Sequence, residues 1–93
     1  MLSKLPTELL KVPKDKIDQE ILRVGMIAEL DAVSFYEQLS AMTENENIKK
    51  VLMDIAKEEK THVGEFETML MELDREQAEE LEKGKREIKE LIN

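Results

Sequence analysis

The stretch ENENIKKVLMDIAKEEKTHVGEFETMLMEL, residues 44–73, decides the fold. It holds no proline, and its apolar residues return every three or four positions, the period of an amphipathic α-helix. Stepping 100° per residue from Glu59, the side chains of Ile48, Leu52, Ile55, Phe66, Leu70 and Leu73 fall within about 40° of it. Val63 lies at about +40° and Ala56 at about +60°. Glu59 therefore stands at the centre of the apolar stripe. His62, three residues on, sits about 60° to the other side, beside the same stripe. Lys57, Glu58, Lys60 and Thr61 point elsewhere. A carboxylate among six large apolar neighbours is costly unless it is paired, protonated or bound to a cation.

Upstream, a second such pattern runs without proline from Lys14 to about Met42. With Glu29 as origin, Leu22, Met26 and Val33 fall at about +20°, +60° and +40°, and Tyr36 at about −20°. Gly25, Ala32, Ile21 and Leu39 lie within about 80° on the negative side. Glu29 is thus also centred on an apolar stripe. Glu20, Asp31 and Glu37 fall at its edges or opposite it, and they and Asp18 are expected to be solvated. Neither stripe carries a lysine or arginine, so an ion pair along the helix does not explain either inward glutamate.

The remaining punctuation gives an all-α plan. Thr43 with Glu46 three residues later reads as a capping box opening the second helix near Glu44. Asp74, with Gln77 three residues on, caps a third helix that ends near Ile92 and is weakened by Gly84. Residues 1–13, containing Pro6 and Pro13, read as an N-terminal arm packed through Leu9, Leu10 and Val12, and residues 14–93 as the helical domain. The expected fold is a long antiparallel two-helix hairpin plus a short C-terminal helix.

Height along that hairpin provides an independent check. Glu29 is about 20 Å before the end of the first helix at Met42, and Glu59 about 22 Å beyond the start of the second at Glu44, at 1.5 Å per residue. The two glutamates are level across the pair, which the hydrophobic pattern did not require.

Composition limits what this site can serve. Ninety-three residues make one small domain, near the lower limit for a self-sufficient core, and such domains often gain burial by oligomerising. Charged residues make up 39% and aromatics 3%, the balance of long helices rather than sheets. The absence of cysteine excludes disulfides, thiolate zinc sites and a rubredoxin-type iron centre. A net charge of −8 argues against nucleic acid or an anionic membrane as partner. No apolar run reaches the roughly 18 residues of a membrane span, and the start has no signal-peptide core, so a cytoplasmic location is expected.

A lone histidine on an apolar face is more often a hydrogen-bonded core residue than a ligand. Here the sole histidine stands in a Glu-x-x-His step on a stripe shared with an inward glutamate, and that conjunction favours a metal site made by Glu29, Glu59 and His62. Tyr36, two turns from Glu29, is either a packing residue or a hydrogen-bonding neighbour of the ligands. Ferritin-like di-iron bundles use one Glu from each of two helices and Glu-x-x-His from each of two more, so this chain holds half a set. A two-fold dimer supplies Glu29, Glu59 and His62 twice and closes a ferritin-like four-helix bundle. Carboxylate and imidazole ligands suit iron, two Fe per dimer, or manganese; Zn or Ca could substitute.

The stretches Ile27-Ala28-Glu29-Leu30-Asp31-Ala32-Val33-Ser34-Phe35-Tyr36-Glu37-Gln38 and Lys57-Glu58-Glu59-Lys60-Thr61-His62 resemble the encapsulated ferritins, half-ferritins housed inside encapsulin nanocompartments. The likeness covers roughly residues 14–92. It implies a ferroxidase whose active site forms at a dimer interface, with dimers commonly arranged in a decameric ring inside an encapsulin shell. It also implies that Glu29, Glu59 and His62 are the metal ligands and catalytic residues and that Tyr36 is the aromatic near the site. Many relatives flank the ligand glutamate with acids thought to draw iron inward. Those positions here are Ala28 and Asp31, so Asp31 alone remains on that route. Phe35 stands where many relatives have tryptophan. Both departures are similar to the archaeal branch, in which the ferritin-like part is fused to the capsid protein. No Gly- and Leu-rich docking tail of the bacterial kind follows Ile92, which suits a truncated chain, a fusion fragment or a free-standing form. Two other functions stay open: peroxide or O2 reduction in the rubrerythrin manner, and a non-catalytic helical assembly or cargo module bridged by metal.

Overall fold

The computed structural model describes residues 12–93. A 3₁₀ turn, Lys14–Lys16, leads into α1 (Ile17–Met42), followed by α2 (Glu46–Leu73) and α3 (Arg75–Ile92). The expected arm lies outside the described residues except for Val12 and Pro13. Helices α1 and α2 pack antiparallel as the hairpin, and α3 leaves its open end. All three helices and their order match the sequence expectation.

The turn of the hairpin differs in detail. Asn45, not Thr43, is the N-cap of α2: its Oδ1 accepts from the N–H groups of Asn47 and Ile48 at 3.0 and 3.1 Å. Thr43 instead receives the Asn45 N–H on its Oγ1 at 3.1 Å, one step before the helix. Asparagine outranks threonine as an N-cap, which decides the competition. Glu46 consequently opens the helix rather than reaching back to a cap. The shift improves the level match, because Glu29 lies 13 residues before Met42 and Glu59 lies 13 residues after Glu46 (42 − 29 and 59 − 46).

Asp74 makes the elbow between α2 and α3. Its N–H donates to the Leu70 carbonyl at 2.8 Å, and its Oδ1 accepts from the Gln77 N–H at 3.0 Å. Two side chains of α1 tie this elbow down. Arg23 Nη2 lies 2.6 Å from Asp74 Oδ2, and Gln19 Nε2 donates to the Leu73 carbonyl at 3.0 Å. The Gln77 N–H lowers the Asp74 carboxyl below the ordinary aspartate range; partial burial opposes this, while Arg23 and then Lys16 reinforce it.

Ala56 and Leu70 are the only fully buried apolar residues among those described. The radius of gyration is 16.5 Å, against about 12 Å for a compact domain of this length. Large apolar side chains therefore remain uncovered on both flanks of the hairpin and along α3, including Phe35, Val51, Met69, Leu81 and Ile88. No helix among the described residues is long and apolar enough to cross a membrane.

Candidate metal centre

Each prospective ligand stands where its helix face predicts. Glu29 on α1 and Glu59 on α2 face each other, and the Glu-x-x-His step carries His62 to the same level one turn on. One ligand atom from each of Glu29, Glu59 and His62 lies within 4.8 Å of the others. His62 Nδ1 is 3.4 Å from Glu29 Oε2 and also 3.4 Å from Glu59 Oε2.

That geometry leaves a charge problem. The Nδ1 atom carries at most one proton and can donate to only one of the two carboxylates. Glu29 Oε2 is enclosed, and no hydrogen bond reaches it. Two carboxylates at one imidazole nitrogen are better matched by a divalent cation than by a single proton. Ligand atoms about 2.1 Å from a common ion stand roughly 3 Å apart when adjacent, close to the 3.4 Å separations found here. The residues fit a metal.

The three ligands are not equally enclosed. Glu29 and Glu59 keep 20% and 19% of their side-chain surface, whereas His62 keeps 42%. The ion pair of Lys60 Nζ with Glu37 Oε2, 3.5 Å, occupies the flank away from His62 and shows which sides of the two helices coincide. His62 turns to the opposite flank, together with Val51 and Met69 of α2 and Ile21 and Phe35 of α1, all exposed. The open side of the site is thus apolar.

Other expected residues fare differently. Tyr36 is partly buried, with its ring edge-on to Phe35 at 5.4 Å between centroids. Asp18 and Glu37 are exposed, as expected, and Glu20 is half-buried beside Arg23. Asp31 is not solvated: it is 7% exposed. The helical projection puts it opposite Glu29, where solvent is expected, yet this side chain is enclosed while Ile27 and Gln38 on the same back face of α1 are exposed.

Sequence reading missed one contact beside the site. Gly25, one turn before Glu29, lies against Phe66, one turn after His62, so closely that a Cβ on Gly25 would fall 2.7 Å from the Phe66 ring. A glycine on the apolar stripe one turn from a ligand was the available signal.

Comparison with known proteins places this architecture. The EncFtn-like family model matches residues 5–92. A ferritin-like–encapsulin shell fusion protein of Pyrococcus furiosus is 56% identical over 72 residues, which is 77% of this chain and 21% of that protein. An encapsulin nanocompartment cargo protein of Myxococcus xanthus is 36% identical over 70 residues, 72% of this chain and 54% of that protein. The matched region thus spans about a fifth and about half of these curated relatives. The crystal structure of the encapsulated ferritin domain from Pyrococcus furiosus superposes with a TM-score of 0.83 at 48% identity, covering 99% of this chain and 96% of that one. The likeness to the shell-fused branch and the all-α, ferritin-like fold are both borne out. With the family model matched along nearly its whole length and the encapsulated ferritin fold reproduced, this chain belongs to the EncFtn-like family.

Proposed function

We propose that this chain is a ferroxidase that oxidises Fe(II) with O2 at a site completed by a second copy of itself. The observation that carries the reading is the enclosed, unbonded Oε2 of Glu29 facing Glu59 and His62 across the hairpin. One hairpin offers two carboxylates and a neutral imidazole, a charge of −2 and three ligand residues. That is too few to fill the shell of even one hard divalent ion. Two copies about a two-fold axis offer four carboxylates and two imidazoles, and their −4 balances two Fe(II) ions.

The exposed apolar flank beside His62 supports the pairing. A two-fold contact there covers Val51, Met69, Ile21 and Phe35 of both copies and brings the open sides of the two half-sites together. Iron is the substrate. Each of two ferrous ions gives up one electron, O2 takes both together with two protons, and hydrogen peroxide is the reduced product. The residues bind and orient the ions, and the apolar surround limits water around them. By likeness to relatives named as a shell fusion and as a compartment cargo, the chain works inside an encapsulin shell. There the ferric product passes to stored mineral, and the paired chains group in the decameric ring that the encapsulated-ferritin resemblance implies.

The test is aerobic addition of Fe(II) to purified protein, following ferric absorbance alongside oligomer mass. Glu29→Ala, Glu59→Ala and His62→Ala should each lose most of the rate, while Glu58→Ala, one residue away but off the stripe, should keep it. Equal rates in all of them would sink the assignment. Dimers that form only with metal, with no oxygen uptake, would favour a metal-bridged assembly module instead.

A further inference from the structure

We propose that Gly25 is a positioning residue for the metal centre: by letting α1 approach the Phe66 ring, it sets the helix spacing that brings Glu29 to Glu59 and His62. This rests on those three residues being the ligands. In the antiparallel hairpin, stepping from Glu29 back to Gly25 and from His62 on to Phe66 moves in the same direction along the bundle, by four residues each. The Gly25–Phe66 contact is therefore the rung next to the ligand rung, about 6 Å away at 1.5 Å per residue. Any side chain at position 25 meets that ring. An added Cβ would lie 2.7, 2.9 and 3.0 Å from Phe66 Cε1, Cζ and Cδ1. Carbon atoms in contact prefer about 3.5–4.0 Å, so close to 1 Å must be found by separating the helices or displacing the ring.

The ligand rung does not tolerate that shift. Its two imidazole–carboxylate approaches are both 3.4 Å, and a metal constellation must be held within about 0.5 Å of its working geometry. The same glycine is unfavourable to α1 itself, since glycine weakens a helix interior relative to alanine. Gly64 in α2 and Gly84 in α3 serve as comparisons, because a Cβ at either meets nothing within 4 Å. Identical Gly→Ala changes at these positions therefore separate the effect of contact from the effect of helix propensity.

The experiment titrates Co(II) into the full chain, reading affinity by calorimetry and coordination by visible absorption, with helicity and oligomer mass checked for each variant. Gly25→Ala is expected to bind Co(II) about 10- to 100-fold more weakly, the range seen when groups supporting metal ligands are disturbed, with an altered spectrum. Gly64→Ala and Gly84→Ala should match the unsubstituted chain. Gly25→Ala/Phe66→Leu, which removes the colliding ring, should recover the affinity and spectrum of Phe66→Leu alone. Should Gly25→Ala not fold, the double variant carries the test; if it does not fold, or folds without recovering, the proposal is overturned. Wild-type affinity and spectrum in folded Gly25→Ala also overturn it. Glu59→Ala keeps the two readings apart: if it binds Co(II) as the unsubstituted chain does, the ligand assignment fails; if it loses binding while Gly25→Ala does not, only the role of Gly25 fails.

Discussion

Met69→Glu should abolish pairing and iron oxidation while leaving the hairpin folded. Met69 is 53% exposed in the single chain, on the flank of α2 that carries His62 and two turns beyond it. Methionine and glutamate have similar helix propensities, and a surface change of this kind moves folding stability by about 0.5 kcal/mol or less. The paired state is affected very differently. About half of the methionine surface remains to be covered, so its loss removes roughly 1 kcal/mol of the 1.5–3 kcal/mol that full burial provides. Drawing an ionised carboxylate into the apolar contact costs several kcal/mol more, of which about 2 kcal/mol is a conservative share at a contact edge. Two-fold symmetry applies the change twice, giving about 6 kcal/mol. At 1.4 kcal/mol per tenfold, the dissociation constant of the pair rises by about four orders of magnitude. Sedimentation velocity at micromolar protein, with Fe(II) oxidation measured on the same samples, reads both consequences. Leu30→Glu is the control, since Leu30 is equally exposed, at 54%, but turned away from the His62 flank. The reasoning is refuted if Met69→Glu remains paired and oxidises iron at the unsubstituted rate, or if it loses activity only by losing helicity.

Three further outcomes follow from the fold. Asn45→Ala should lower thermal stability by about 1 kcal/mol, because it removes the acceptor of two helix-end N–H groups, while Thr43→Ala should cost less; denaturant melts compare them. Gly84→Ala should strengthen α3 by up to about 1 kcal/mol, with more helical circular dichroism and unchanged iron oxidation, since nothing lies within 4 Å of the added methyl. The Asp74 carboxyl is held below its ordinary range, so its contribution to the elbow is complete above the unfolded value of about 3.9 and is lost as pH falls through the lower folded value. Acid titration of amide exchange at Gln77 should show this loss, and Asp74→Asn should remove the carboxyl-dependent part of it.

Much of this architecture is legible in the sequence because the two hairpin helices are long and each centres an apolar stripe on a glutamate. Against such a stripe a central glutamate stands out, and Glu29, Glu59 and His62 could be chosen, and found level, from 100° steps and a 1.5 Å rise alone. What stayed hidden depends on surroundings that a single-helix projection does not contain. Asp31 lies opposite Glu29 on the wheel, and only the folded chain shows that its side chain is enclosed. Arg23 meets Asp74 across 51 residues, a pairing that no local period encodes. Gly25 contributes no side chain to a hydrophobic pattern, so its close approach to Phe66 is invisible until both helices are in place. The Thr43 and Asn45 caps compete within three residues, and local preference for asparagine settles a boundary that pattern reading placed two residues early.

The most direct examination of a site completed by pairing is native mass spectrometry of an anaerobic Fe(II) titration, carried out across a protein dilution series. Iron should load onto paired chains in steps that end at two ions per pair, with unpaired chains remaining iron-free. Iron held by single chains as tightly as by pairs would contradict the shared centre.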